Sequence, residues 1–341
     1  MPAPTTDQVP VAILQESELR RTWVFPFDPV LSGLSEVLSV EGARRIAEPV
    51  FGRPCSVRST IVRYRPTKRA VVRFEVRPRG RSDGPPMILY VKVLRADAAD
   101  TIMQLLPVMA TVGDSYVLPT YRPAPDILVY PARAGTSMRA ALTGRNSAAI
   151  PHPDVVLDVL DNLGALDDPG TPGPSSPAAR LDRSVDLLRA AVPHHAAVLS
   201  ELADLIRGAL GRDVIPPVVV HGDFYEGQLL IDQAGSVAGV LDIDDVGMGD
   251  PAMDAANYTA HLVALGESHP EVVERLDAHR RAFRTAYLER SGVEERALGA
   301  REAVAGLGLA TGPFRVLSPG WPARVERRIA LAARPVGVSV G

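Results

Sequence analysis

Carboxylates crowd one short stretch of this chain. From Val218 to Ala256 it reads VVVHGDFYEGQLLIDQAGSVAGVLDIDDVGMGDPAMDAA, in which two apolar segments, QLLID and AGVLDI, read as strands joined by the turn QAGS. Setting aside Asp232, which flanks the turn, seven carboxylates remain: Asp223, Glu226, Asp242, Asp244, Asp245, Asp250 and Asp254. So many like charges beside strand ends cost stability unless cations or hydrogen-bond donors offset them. A magnesium-bound phosphate fits that need, because hard oxygen ligands hold Mg²⁺ while the ion keeps other positions for phosphate oxygens. His221 heads the stretch without a second histidine at ligand spacing, so it reads as a structural hydrogen-bonding residue rather than a base or a metal ligand. The same shortage counts against a two-metal phosphoesterase, whose sites need several histidines. Asp250 followed by Pro251 reads as a helix N-cap with proline at the first helical position.

These groups need a scaffold on either side. Ahead of them, Ser59–Leu94 carries three strand-like segments, TIVRY, VVRFEVR and MILYVKVL; Val72, Phe74 and Val76 alternate with Arg73, Glu75 and Arg77. That alternation predicts an antiparallel sheet with one wetter face, and RPTKR and RPRGRSDGPP join its strands in hairpin fashion. A helix is expected from about Asp97 to Ala110, then a short strand ending at Pro131, with Gly135 permitting a change of direction. Helices follow in SMRAAL, PDVVLDVLDNLGAL, RSVDLLRAAV and HHAAVLSELADLIRGAL, while DDPGTPGPSSPAA reads as a mobile surface loop. Beyond the acidic stretch, Val272, Leu276, His279, Phe283 and Tyr287 recur at helical steps until Gly292, and WPARVERRIALAAR predicts another helix.

A chain of 341 residues, 46% hydrophobic, can bury more than one core, and the change of character near Pro131 divides it into a β-rich region, 1–130, and a helical one, 131–341. The formal net charge of −3 and the lack of a long basic run speak against nucleic acid or an anionic membrane as partner. Small solutes are the expected partners. One cysteine, Cys55, excludes an internal disulfide framework, and no leader-like or membrane-length apolar segment stands out, so the expected setting is the cytoplasm. Arginine outnumbers lysine 35 to 2, which makes the positions of Lys68 and Lys92 worth following.

The paired segments HGDFYEGQLLID and GVLDIDDVGMGDPAMDAA resemble the signature of aminoglycoside phosphotransferases and related small-molecule kinases, whose pattern is HGDxxxxN, then an IDW- or IDF-like element, then GDPxxDLA. The order of elements extends the resemblance over most of the chain. It implies an α+β, protein-kinase-like fold of two lobes, a small β-rich N-terminal lobe and a larger, mainly helical C-terminal lobe. It also implies transfer of the terminal phosphate of ATP or GTP to a hydroxyl of a small acceptor such as an antibiotic, an amino sugar or a related metabolite. Asp223 would then be the catalytic carboxylate that orients the hydroxyl and takes its proton. Asp242 would hold Mg²⁺, with Gln228 standing where the family has asparagine, and Asp254 would brace the catalytic loop. Lys92 matches the strand lysine that grips nucleotide phosphates, and Val129, Tyr130 and Ala132 fall where a hinge backbone meets the adenine.

Departures from the pattern leave questions open. Gln228 has the right donor type but one methylene too many for an ion that tolerates little distortion. The helix after Lys92 contains no glutamate to pair with it, leaving Asp97, Asp100 or Gln104. No glycine-rich loop precedes Lys92; Lys68 and Arg69 at the hairpin tip either reach phosphates or form a solvated turn. Asp244 and Asp245 either assist a second metal, meet a cationic acceptor together with Glu226, or lie in a solvated loop. The alternative function is a kinase-shaped protein that binds nucleotide or another ligand with little catalysis.

Overall fold

The structure is a computed structural model and describes residues 11–16, 19–80 and 84–338. The chain divides into two compact units, one built from the described residues up to Leu106 together with Val117–Arg133, the other from Pro107–Tyr116 and Ala134 onward.

The first unit opens with an antiparallel pair, β1 (Val11–Glu16) and β2 (Leu19–Val24), and two helices, α1 (Leu34–Leu38) and α2 (Val40–Phe51), none of which stood out in the sequence. Its main sheet has five strands: β3 (Cys55–Arg65), β4 (Arg69–Pro78), β5 (Met87–Val93), β6 (Tyr121–Ala124) and β7 (Ile127–Pro131), in the order β3-β4-β5-β7-β6 and antiparallel throughout. The alternation expected in β4 is real: Val72, Phe74 and Val76 are buried while their neighbours are partly exposed. Those side chains pack with Leu89 and Val91 of β5 and with Leu34, Val37 and Ile46 of α1 and α2, so the helices cover one face of the sheet. Each such fully buried apolar side chain contributes about 1.5–3 kcal/mol. Helix α3 (Ala96–Met109) follows β5 as expected.

The second unit is mainly helical. Its elements are β8 (Thr136–Ser137), α4 (Met138–Leu142), α5 (Pro153–Gly164), α6 (Pro177–Ala191), α7 (Ala196–Arg212), β9 (Val218–Val220), β10 (Leu229–Ile231), β11 (Val237–Val240), β12 (Gly247–Gly249), α8 (Pro251–Ser268), α9 (Val273–Ser291), α10 (Glu295–Ala310), α11 (Gly312–Arg315) and α12 (Trp321–Ala333). Helix α8 is buried on nearly every side, from Ala252 to Ala260, because α9, α10 and α12 pack around it. The sequence reading overlooked α10; its small residues Ala297, Gly299, Ala300 and Ala303 give no clear polar face, since the helix is buried all round. Helix α9 ends at Gly292 in the left-handed conformation, as the sequence indicated. The loop expected to be free and mobile is instead tied down at its centre: Thr171 is buried, and its hydroxyl donates to the Val246 carbonyl at 3.4 Å. Gly173 passes so close to β12 that a Cβ there would lie 2.1 Å from the Met248 carbonyl oxygen.

Candidate active site

Two short antiparallel pairs in the second unit bring the acidic segments together. β9 pairs with β12, Val220 opposite Gly247, and β10 pairs with β11, Leu229 opposite Val240. The loop 221–228 therefore lies beside the loop 241–246, and the Leu241 amide donates to the Gln228 carbonyl at 2.8 Å. Two polar residues hold the first loop from beneath. Asp254, buried in the first turn of α8, accepts the His221 amide at 2.6 Å and the Gly222 amide at 3.0 Å. His221 Nε2 meets the Leu241 carbonyl at 2.9 Å, which links the two loops. Gly222 has φ of +82°, and a Cβ there would stand 2.5 Å from the Asp245 carbonyl oxygen, so no other residue fits the step before Asp223.

Asp223 emerges from this brace with no hydrogen bond or ion pair among the described residues. Burial pushes its pKa up to about 6; the charges of Asp242 and Asp245 add to the rise, while His221 and Arg180 oppose it. Asp242 takes a left-handed backbone, φ 62° and ψ 65°, a conformation uncommon for a non-glycine residue and typical of functional turns. Gln228 is buried beside it and points its amide nitrogen at Asp242 Oδ2, 3.4 Å away. Asp244 is partly buried and Asp245 is exposed.

Asp250 caps α8 as its sequence context indicated, accepting the Ala252 amide at 3.0 Å, with Pro251 at the first helical position. Its second oxygen receives Arg301 Nε at 2.7 Å, an anchor that only the overlooked helix α10 supplies. Glu226, read as a group that could face a cationic acceptor, is 0% exposed and pairs with Arg139 Nε of α4 at 2.8 Å. Its charge is spent inside the fold rather than offered to a ligand. Burial still raises its pKa despite Arg139. Sequence reasoning also missed Tyr225, whose ring stacks on His261 at 4.1 Å between centroids and carries the Arg139 guanidinium 5.5 Å from its own centroid. Nothing in the chain order marks those three as neighbours, because 139, 225 and 261 lie on separate elements.

Lys92, the lysine expected to grip phosphate, lies in the main sheet of the first unit. Lys92 stands opposite Leu128 in the β5–β7 pair, is 7% exposed, and has its Nζ 5.9 Å from the centroid of the Tyr130 ring. Of the partners considered for it, Asp97 is held by Arg95 at 2.8 Å and Asp100 by Arg122 at 2.7 Å. The β3–β4 tip is fixed by a residue not foreseen: Asp28 accepts the Tyr64 hydroxyl at 2.9 Å and the Thr67 amide at 2.8 Å. That leaves Lys68 exposed and Arg69 half-buried. In the segment expected to meet adenine, the Val129 carbonyl accepts the Thr120 amide at 2.9 Å and the Ala132 amide donates to Ile88 at 3.1 Å. Both groups are thus already engaged within the first unit, whereas Tyr130 lies opposite Tyr90 in the ladder.

The profile of the phosphotransferase enzyme family, APH, matches residues 61–298 of this sequence, which takes in both the sheet and the paired acidic loops. The chain belongs to that family. This phosphotransferase is similar in fold to aminoglycoside phosphotransferase APH(4)-Ia, with a TM-score of 0.60 over 88% of this chain and 100% of the other at 15% identity. A thermostable mutant of the latter, solved as a ternary complex with ADP and hygromycin B, aligns with a TM-score of 0.58 at 15% identity over 87% of this chain and 99% of that one. A choline/ethanolamine kinase family protein from Mesorhizobium loti aligns with a TM-score of 0.52 at 17% identity over 82% of this chain and 88% of its own. At these identities the likeness establishes the α+β, kinase-like fold. No curated protein matches the sequence. The phosphotransferase acts on a small molecule, and no helix among its described residues is long and apolar enough to cross a membrane.

Proposed function

We propose that this phosphotransferase moves the γ-phosphate of ATP, with Mg²⁺, onto a hydroxyl of a small molecule, with Asp223 as the base. The observation that carries this reading is Asp223 itself, unpaired among the described residues, with a raised pKa, and placed by a loop whose backbone is fixed through Asp254 and Gly222. A base is most effective when its pKa lies near the working pH, and burial has moved this one from the ordinary carboxylate range towards neutrality. In the reaction the acceptor oxygen forms a bond to the γ-phosphorus as the bond to the β–γ bridging oxygen breaks. The hydroxyl proton passes to the Asp223 carboxylate and ADP leaves.

The residues present fit a magnesium ion. Asp242 and Gln228 offer hard oxygen donors, and the mutual repulsion of Asp223, Asp242 and Asp245 is what a divalent cation would relieve. Asp242, with the Gln228 amide turned to present its oxygen, would hold the ion. Bound there it would neutralise charge on the nucleotide phosphates. Lys92 and Lys68 would bind phosphate from the first unit, with Arg69 in support, and the backbone near Tyr130 would meet the base. Most of the rate then comes from positioning and charge neutralisation.

Unfolding temperature with saturating ATP, with and without Mg²⁺, tests the reading, since a ligand at about 100 times its dissociation constant adds roughly 2.7 kcal/mol to the folded state. A shift that requires magnesium supports it. The kinase-shaped binding protein remains the second reading because Gln228 turns a nitrogen, not an oxygen, towards Asp242. A shift indifferent to magnesium would favour that protein. Asp223→Asn separates the two in a transfer assay: it abolishes transfer and spares ATP binding if Asp223 is the base, and near-normal transfer by the variant refutes the assignment.

A further inference from the structure

We propose that His194, His195 and Glu326 form a binding site for a late first-row divalent cation such as Zn²⁺, which ties the turn between α6 and α7 to α12. All three residues belong to the second unit, and none of them is assigned to phosphoryl transfer, so the proposal does not depend on the kinase reading.

After α6 the chain makes a single 3-10 turn, Pro193–His195, before α7 begins at Ala196. In that turn the two imidazoles lie with their centroids 4.6 Å apart. Both bring Nε2 towards one carboxylate oxygen of α12: Glu326 Oε1 is 2.9 Å from His194 Nε2 and 4.0 Å from His195 Nε2. One donor atom from each of the three residues lies within 4.8 Å of the other two.

A single proton satisfies only part of this arrangement. One tautomer lets His194 donate to Glu326, but at 4.0 Å His195 makes no hydrogen bond with that oxygen. A metal ion takes all three lone pairs at once. Tetrahedral zinc, with bonds of about 2.0–2.2 Å to imidazole and carboxylate, sets its donors about 3.4 Å apart. The observed 2.9 and 4.0 Å straddle that spacing. Small rotations can equalise them, because the His194 side chain is 63% exposed and that of Glu326 38%, while His195, at 16%, is the fixed member of the three. Two imidazoles and a carboxylate suit zinc rather than magnesium, which takes oxygen donors. Three protein ligands leave a fourth position to water.

No guanidinium has claimed the carboxylate. Glu326 has no arginine partner among the described residues, although the chain holds 35 arginines. Three arginines near it on α12 are engaged elsewhere. Arg327 and Arg328 face Glu267, at 3.9 and 2.6 Å, and Arg324 donates to Ser318 Oγ at 3.4 Å.

Zinc titrated calorimetrically into the full chain, carrying no polyhistidine tag, tests the site. The buffer holds about 10 mM Mg²⁺, which occupies oxygen-rich sites and leaves imidazoles free. We expect a dissociation constant below about 100 µM, and affinity at least about tenfold lower in each of His194→Ala, His195→Ala and Glu326→Gln. Weaker binding to the unmodified chain overturns the proposal, as does a smaller loss in any one of the three variants. The unfolding midpoint gives a second readout: saturating Zn²⁺ should raise it in the unmodified chain and not in the double variant His194→Ala/His195→Ala. An equal rise in both places the ion elsewhere and overturns the site.

Discussion

Arg139→Ala should damage the protein more than Glu226→Gln, although both break the same 2.8 Å ion pair. Glu226 is 0% exposed, and its Oε2 has no hydrogen-bond partner among the described residues, so without Arg139 its charge is left buried and unpaired. Breaking a buried pair in that way costs about 3–5 kcal/mol. Arg139 is 46% exposed and water screens part of the interaction, which places the loss near the lower end, about 3 kcal/mol. In Glu226→Gln the guanidinium can turn to water and the neutral amide needs no counter-charge, so about 1 kcal/mol is expected, the ordinary net worth of a hydrogen bond. The difference should depend on pH. Glu226 already has a folded-state pKa above its ordinary 4.5, and removing Arg139 raises it further. The folded state then binds more protons than the unfolded state between those two values, so stability falls as pH rises through the window, by up to about 1.4 kcal/mol per unit. Urea unfolding at pH 5 and pH 8 measures this: the Arg139→Ala deficit should grow with pH, while that of Glu226→Gln should shrink, because only the unmodified chain carries the buried carboxyl that must ionise. Equal, pH-independent losses for the two variants would refute the claim that a buried charge is what Arg139 offsets.

Three further outcomes follow from the same geometry. Gly222→Ala should cost at least about 2 kcal/mol in unfolding experiments and abolish transfer, because a left-handed backbone and a rigid carbonyl at 2.5 Å both oppose a Cβ; a loss below about 0.5 kcal/mol would contradict the loop geometry. The Asp223 carboxyl, followed by NMR in metal-free protein, should titrate with a midpoint of about 6, and adding Mg²⁺ with ATP should lower it by relieving the repulsion from Asp242 and Asp245. An unchanged midpoint would place the cation elsewhere. Gln228→Asn draws the amide back by one methylene; if the site is adapted to glutamine, transfer should fall with little change in unfolding midpoint, whereas a gain in activity would mark the native site as degraded.

Much of the candidate site was legible from residue order because local rules govern it. Asp250-Pro251 could cap a helix in only one way, and Val72, Phe74 and Val76 could face the core on only one side. The hairpin Leu229–Val240 needed only its turn, in which the Ser236 amide donates to Asp232 at 2.9 Å. These are interactions between residues close in sequence, or between a residue and its own backbone, so composition and spacing suffice to read them.

Which charges remain available, and to whom, depended on partners far along the chain. Glu226 looked like a free acid until Arg139, 87 residues away, proved to cover it, and Asp250 acquired Arg301 from a helix with no polar face to betray it. The proline-rich loop seemed unanchored until Thr171 met Val246, 75 residues on. Periodicity and spacing thus indicated most of the sheet, many of the helices and the acidic loops, while the resemblance alone assigned the residues expected near the reacting groups. Whether a given charge is neutralised is set by contacts between elements that only the packed tertiary structure brings within about 3 Å, the reach of a hydrogen bond.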